Sequence, residues 1–182
     1  GEKVVLPFLK ARGINRLDKM IISHGDNDHI GGAQSILAAI KVNHLSGQDL
    51  NRLQHDNKSL CQQGESWQWD GVTFVFLHPD ISTDYSKRNN NACVLRVSSS
   101  YGSLLLTSDI EKRAEYRIVR ELSDQLKSDV MVIPHHGSKT SSTRRFIESI
   151  SPRYALVSSG YRNRFGHPKR QRMERYLAHN IR

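Results

Sequence analysis

Four side chains of metal-binding type fall within six residues of this sequence: His24, Asp26, Asp28 and His29, in the run His24-Gly25-Asp26-Asn27-Asp28-His29-Ile30-Gly31-Gly32. The run follows residues 19–23, an apolar stretch that reads as a buried strand. It precedes residues 33–40, which read as a short helix. A strand fixes the root of such a turn, and the turn aims several side chains into one volume. Imidazole together with carboxylate suits Zn²⁺, Mn²⁺ or Fe²⁺. Gly31 and Gly32 let the backbone fold tightly behind the ligands and start the helix. The plainer alternative is a polar turn whose histidines cap the helix, and it leaves the four ligand types unexplained.

Around this run short strands and helices alternate, with no internal repeat and no linker long enough to divide domains. Residues 42–46 read as a strand and 51–62 as a helix. Residues 66–70 and 72–77 flank Asp70-Gly71, a dipeptide that favours a tight hairpin. The polar stretch 79–91 reads as a loop, and 92–97 with 103–107 as a second hairpin. In 111–126, Ala114, Ile118, Leu122 and Leu126 recur every four residues beside Val119, which predicts an amphipathic helix. Residues 130–133 follow as a buried strand stopped by Pro134, then a helix over 143–150 and a strand over 153–158. A last helix has Pro168 in its first turn. Hairpins early and β-α-β units late predict one mixed α/β layered domain over 1–182.

Composition narrows the class. A chain of 182 residues with 37% hydrophobic and 25% charged residues is neither a disordered tail nor a fibre. No apolar run approaches the ~20 residues of a spanning helix. Residues 1–7 break before any signal-peptide apolar region forms. The two cysteines, Cys61 and Cys93, either pair or are both free. The net charge is +9, and its placement matters more than its size. Residues 1–133 balance sixteen basic against sixteen acidic side chains; residues 134–182 carry eleven basic and two acidic ones. Such a basic C-terminal segment is the footprint of a polyanion partner or a solvated helix face.

Two further sites lie after predicted strands. Asp109 follows Thr107-Ser108, and His135-His136 follow Pro134. Alone, Asp109 reads as an N-cap for the helix at Glu111. Together the three sites gain weight if the strands that precede them belong to one sheet and end side by side.

The ordered motifs H-x-D-x-D-H-x-G-G, Thr107-Ser108-Asp109 and Pro134-His135-His136-Gly137-Ser138 resemble the metallo-β-lactamase superfamily. Within it they are similar to the hydrolase-like domain of ComEC-type competence DNA-uptake proteins. The stretch Pro7-Phe8-Leu9-Lys10-Ala11-Arg12-Gly13-Ile14 and the late Phe165-Gly166-His167-Pro168 extend the resemblance over nearly the whole chain. The implied fold is an αββα sandwich, here begun after the strand hairpin that usually opens such domains. The implied site holds two divalent ions, Mn²⁺ or Zn²⁺ ahead of Mg²⁺; Asp26 stands where the wider superfamily has histidine, and that harder oxygen ligand shifts the expected ion from strictly Zn²⁺ towards Mn²⁺ or Mg²⁺. His24 and Asp26 would hold one ion, Asp28, His29 and His135 the other, and Asp109 would bridge them. His136 is a further ligand or a substrate-facing acid or base, His167 reaches the same cleft, and Asn91 occupies the region of a third histidine.

The implied activity is metal-dependent hydrolysis of phosphodiesters: a nuclease acting during DNA uptake on the strand that is not transported. Arg162, Arg164, Lys169 and Arg170 flank His167 and would hold DNA by its phosphates, single- or double-stranded and without reading sequence. The implied setting is a soluble domain of an inner-membrane channel protein, on the periplasmic or extracellular side, with the rest of that protein as partner and no nucleotide cofactor. Two rivals are a hydrolase of small substrates, such as phosphorylcholine, a small phosphodiester or a β-lactam, and a non-catalytic DNA-guiding module.

Overall fold

The computed structural model describes residues 1–80, 82 and 86–182, so part of the polar stretch read as a loop over 79–91 lies outside the described residues. The chain folds as two compact units, Gly1–Cys61 and Gln62–Arg182.

In the first unit, helix α1 (Val5–Ala11) precedes strand β1 (Arg16–Ile22), and the short helix α2 (Asn27–Ile30) leads into α3 (Ala33–Ala39). Strands β2 (Lys41–Gly47) and β3 (Lys58–Leu60) complete a three-stranded sheet in the order β1-β2-β3, parallel throughout. Ile22, Ile30, Ala33, Leu45, Leu50 and Leu53 form one apolar cluster, and Leu6, Leu9, Ile36 and Ile40 form another. Of β1 only Ile22 is buried, so the strand is real but less enclosed than its apolar run predicts. The helix expected over 51–62 is absent: Leu50–Arg52 makes a single 3₁₀ turn and the chain then extends into β3. The reason lies in Asn57. Its backbone carbonyl accepts from Leu45 N–H (3.0 Å), its amide donates to the Asn43 carbonyl (2.8 Å), and its Oδ1 lies 2.9 Å from His44 Nδ1. Sheet partners outbid a segment that has no apolar stripe of helical period.

The second unit is built on a six-stranded sheet in sequential order: β4 (Ser66–Trp69), β5 (Val72–His78), β6 (Val94–Ser99), β7 (Gly102–Leu106), β8 (Val130–Val132) and β9 (Tyr154–Leu156). β4 to β7 are antiparallel; β7, β8 and β9 are parallel. Both expected hairpins are present, the first turning at Asp70 (φ 47°) and Gly71 (φ 77°), the paired positive φ that a two-residue turn requires. The order of motifs differs from expectation, because the β-α-β pattern occurs early as well as late. β1 and the strands β7 and β8 also lie in different sheets, so the three ligand motifs do not end strands of one sheet.

Helix α4 (Lys112–Leu122) joins β7 to β8, α5 (Arg144–Ile150) joins β8 to β9, and α6 (Arg170–Ala178) follows, with Pro168 before its cap residue Lys169 rather than in its first turn. Their apolar faces meet the sheet: Ile118, Phe146, Ile147, Ile150 and Tyr176 pack with Leu105, Met131 and Ile133. Cys61 and Cys93 are buried and disulfide-bonded, so neither is a free thiol.

One buried carboxylate ties the helices together. Glu115 of α4 accepts the backbone N–H of Ser142 (2.5 Å) and Thr143 (2.8 Å), just before α5 begins. From α6, Arg175 donates to the Ser142 carbonyl (2.7 Å), Tyr176 Oη donates to Ser142 Oγ (2.9 Å), and Arg172 donates to the carbonyls of Ser138 (3.3 Å) and Lys139. Burial pushes the Glu115 carboxyl above the usual carboxylate range, opposed by these N–H groups and by Arg172.

Two stability measurements check this account. Glu115→Ala strands two buried N–H groups and should cost roughly 3 kcal/mol or more in urea unfolding, with Glu115→Gln losing less. An unchanged urea midpoint in Glu115→Ala would contradict it. His78 gives the pH test. Burial pushes its pKa from 6.5 down to about 4, against the raising effect of its 2.7 Å contact with the Asn90 carbonyl. Between those values the unfolded chain binds the proton and the fold does not. The stability from neutral His78 is therefore complete above pH 6.5 and is lost on acidification towards pH 4. From about pH 7 to about pH 5 the parent should lose on the order of 2 kcal/mol by this route, and His78→Gln should not; equal slopes would remove His78 as the source.

Candidate metal centre residues

In the first unit the chain leaves β1 at Ile22 and turns at Ser23-His24. His24 is fully buried. Ser23 Oγ lies 3.2 Å from His24 Nδ1 and 3.1 Å from His29 Nδ1, so one hydroxyl fixes both imidazoles by the same nitrogen. The rings are 4.2 Å apart. Their other nitrogens face carboxylates: His24 Nε2 is 3.5 Å from Asp26 Oδ2 and His29 Nε2 is 3.8 Å from Asp28 Oδ2. An outer hydroxyl on one nitrogen and carboxylates at the other is the arrangement that orients metal-binding histidines. The four side chains read from the sequence as ligands thus sit in one turn, and neither Asp26 at the start of α2 nor Gly32 at the start of α3 supplies a side-chain cap.

The turn is held from the loop after β2. Asp49, itself in a left-handed conformation (φ 57°), accepts the Gly25 N–H at 2.8 Å. Arg52 donates to the Gly25 carbonyl and, at 3.3 Å, to Asn27 Oδ1. A Cβ on residue 25 would come within 2.7 Å of Asp49 Oδ2, so the close approach demands glycine. Asp49 and Arg52 escaped the sequence reading; the one hint was their place after the strand parallel to β1.

In the second unit, Asp109 is almost fully buried and does not cap α4. Glu111 holds the cap position, and Asn90 Oδ1 accepts the N–H of Glu111 (3.0 Å) and Ala114 (3.4 Å) instead. Asp109 Oδ2 lies 3.4 Å from His136 Nε2 and 3.9 Å from His135 Nε2. His135 and His136 both have left-handed backbones (φ 51° and 53°), as does Ser108 (φ 50°). Such residues occur where surrounding contacts over-determine them, often at functional sites. Here His135 N–H donates to the Ser108 carbonyl (3.0 Å) and Ser138 N–H to the His135 carbonyl (2.8 Å). Gly137 (φ 78°) could not bear a Cβ, which would meet Pro168 Cβ at 2.7 Å.

Each ring is oriented separately. His135 Nδ1 lies 3.1 Å from Thr140 Oγ1 and 3.8 Å from Glu111 Oε1, and Asn89 Nδ2 is 3.4 Å from its Nε2. Asn89 thus reaches the cluster, and Asn91, the asparagine singled out from the sequence, ends the 3₁₀ turn Arg88–Asn91 that begins beside it. His136 Nδ1 is 2.5 Å from the Ser158 carbonyl, which only accepts, so that nitrogen carries the proton and Nε2 is the one turned to Asp109. His167 is 6.1 Å ring to ring from His135. Burial, with His135 next in effect, holds its pKa below the ordinary histidine range.

The donor chemistry fits a divalent ion: imidazoles and carboxylates, with both cysteines bound in disulfide linkage. His167 adds a buried Nδ1 with no hydrogen-bond partner among the described residues. A cleft of about 310 Å³ lined by Lys87, Asn90, Glu111, Lys112, Arg113 and Thr140 shares Glu111 and Thr140 with the surroundings of His135. Lys87 is paired with Glu111 there (3.0 Å), and Lys112 and Arg113 leave the lining net positive. Arg162 and Arg164 lie exposed on the loop before His167, Arg170 is paired with Glu174 (2.9 Å), and Lys169 donates to the Phe165 carbonyl (2.6 Å).

Comparison with known proteins agrees with this chemistry. A family model described as the metallo-beta-lactamase superfamily matches residues 2–161. Competence protein ComA of Neisseria gonorrhoeae is 38% identical over 97% of this chain and 25% of its own length. ComE operon protein 3 of Bacillus subtilis (strain 168) is 33% identical over 100% of this chain and again 25% of its own length. The chain thus spans about a quarter of these relatives. The crystal structure of the metallo-beta-lactamase fold protein YhfI from Bacillus subtilis matches with a TM-score of 0.55 at 15% identity, over 95% of this chain and 77% of that one. By sequence and by fold, this chain belongs to the metallo-β-lactamase superfamily.

Proposed function

We propose that this chain is a metal-dependent phosphodiester hydrolase of a DNA-uptake system, acting on the DNA strand that is not transported. The observation that carries the reading is a cluster of imidazole and carboxylate, Asp109 with His135, His136 and His167, bordered within one unit by cationic side chains. Metal-dependent hydrolysis is the chemistry of the superfamily. A cationic border selects a polyanion over an uncharged small substrate.

His24, Asp26, Asp28 and His29 in the first unit, and Asp109 and His135 in the second, are the residues that would hold metal, two ions in this reading, Mn²⁺ or Zn²⁺. Bound ions supply a water deprotonated near neutral pH and neutralise charge that develops on a phosphoryl group. The protein's own part is orientation. Ser23 and Thr140 fix the imidazoles, the Ser158 carbonyl sets the tautomer of His136, and His136 Nε2 then holds a proton or a metal beside Asp109.

The named relatives are competence proteins, which supports a role in DNA uptake with the remainder of a channel protein as partner. No helix among the described residues is long and apolar enough to cross a membrane. A disulfide persists in oxidising surroundings, which supports a periplasmic or extracellular position for this part of the chain.

The test is hydrolysis of single- and double-stranded DNA after dialysis against chelator and readdition of Mn²⁺, Zn²⁺ or Mg²⁺. Activity should vanish and return with metal. Asp109→Asn should lower metal content by more than ~10-fold, read by elemental analysis. His136→Ala should lower turnover at unchanged metal content if His136 moves protons, and lose metal first if it is a ligand. Hydrolysis of a small ester with no cleavage of DNA under any metal would overturn the nuclease reading.

Binding supplies a separate check. With roughly three to five phosphate contacts, affinity for DNA should fall more than about tenfold from about 50 to about 200 mM salt. Replacing Arg162, Arg164 and Arg170 together by alanine should flatten that dependence. A slope as steep as the parent's would place the phosphate contacts elsewhere.

A further inference from the structure

The loop between β9 and α6 holds large rings in water. Tyr161 is 89% exposed and Phe165 59%. Each lies beside a guanidinium: Arg162 Cζ is 5.2 Å from the Tyr161 ring centroid, and Arg164 Cζ is 4.8 Å from that of Phe165. A single exposed ring is ordinary on a protein surface. Two rings, each with a stacked cation, on a loop fixed by hydrogen bonds require an account.

The fixing residue is Asn163. Its amide donates to the carbonyls of Gly160 (3.0 Å) and His167 (2.7 Å), and its Oδ1 accepts the His167 N–H (2.9 Å). Its backbone carbonyl accepts the Gly166 N–H (3.0 Å). The rings then lead inward. Phe165 stacks on His167 at 5.9 Å with planes 19° apart, and His167 lies 6.1 Å from His135. A series of rings thus leads from exposed Phe165 through His167 to His135 beside Asp109.

We infer that this loop is a base-stacking platform for single-stranded DNA, with Tyr161 and Phe165 each receiving a base while Arg162 and Arg164 hold the adjoining phosphates. The inference rests on the hydrolase reading and names the form of its substrate. In a duplex each base face is covered by its neighbours; in a single strand it is open to a protein ring, and stacking of this kind tolerates any sequence. The charge agrees, since residues 134–182 carry eleven basic side chains and two acidic ones. The ring series gives direction as well, carrying the backbone towards His135.

Fluorescence anisotropy with the whole 182-residue chain, in chelator so that nothing is cleaved, separates stacking from charge. The probes are a thymidine dodecamer, an abasic deoxyribose-phosphate dodecamer of the same charge, and a duplex of the same length. The parent should bind the thymidine strand about tenfold more tightly than the abasic one. Tyr161→Ala and Phe165→Ala should each remove most of that preference, and Phe165→Trp should keep it, with circular dichroism confirming the fold. The salt slope should stay unchanged, because no charge is removed. If the parent binds both strands equally, or the alanine variants keep the preference, the platform is refuted while the hydrolase reading stands. If the parent binds none of the probes and cleaves no DNA with any metal, the hydrolase reading falls and the platform with it.

Discussion

A carboxylate with no exposed surface, Glu115, is the constraint on which the second unit's site depends. It sits on α4, yet what it holds is the chain between β8 and α5, the stretch that leaves the double histidine. Arg172, Arg175 and Tyr176 bind the same stretch from α6. A buried carboxyl of this kind persists only where hydrogen bonds replace its water, and here two backbone N–H groups do so. Three helices are thereby referred to one short segment, and the histidines before it inherit a fixed exit.

The two clusters of histidine and carboxylate are organised by the same device with different parts. In each, a hydroxyl meets Nδ1 of an imidazole and a carboxylate faces Nε2: Ser23 with Asp26 and Asp28 in one unit, Thr140 with Asp109 in the other. The hydroxyls are uncharged, so they set orientation without competing for a cation. Gly25 and Gly137 allow the backbone approaches that side chains would block. Glycine next to histidine is therefore as much a part of each cluster as the ligand.

What the sequence revealed follows the range of the interactions involved. The H-x-D-x-D-H run was legible because six adjacent residues hold all four candidate ligands, and the Asp70-Gly71 hairpin because a turn type is a local requirement. The parallel first sheet was not, since β1 pairs with β2 across α2 and α3 and leaves no turn signature. The helix expected over 51–62 failed for a related reason: Asn57 finds its partners in β2, more than a dozen residues away. Asp49, Asn89, Glu115 and Asn163 share that invisibility. Each is an ordinary polar residue in the sequence, and only the fold shows what it meets. The basic tail is legible as a concentration of charge, whereas the exposed rings set among the arginines are not, because exposure cannot be inferred from residue type.

The left-handed backbone at His135 and His136 bears on how this chain can change. Positive φ costs a side-chain-bearing residue on the order of 1 kcal/mol or more, and two such residues stand in succession. Glycine at either position would relieve that cost, so a search for thermostable variants that ignores activity is drawn towards replacing the imidazoles themselves. In the proposed hydrolase, selection for robustness and selection for chemistry pull in opposite directions at the same two codons.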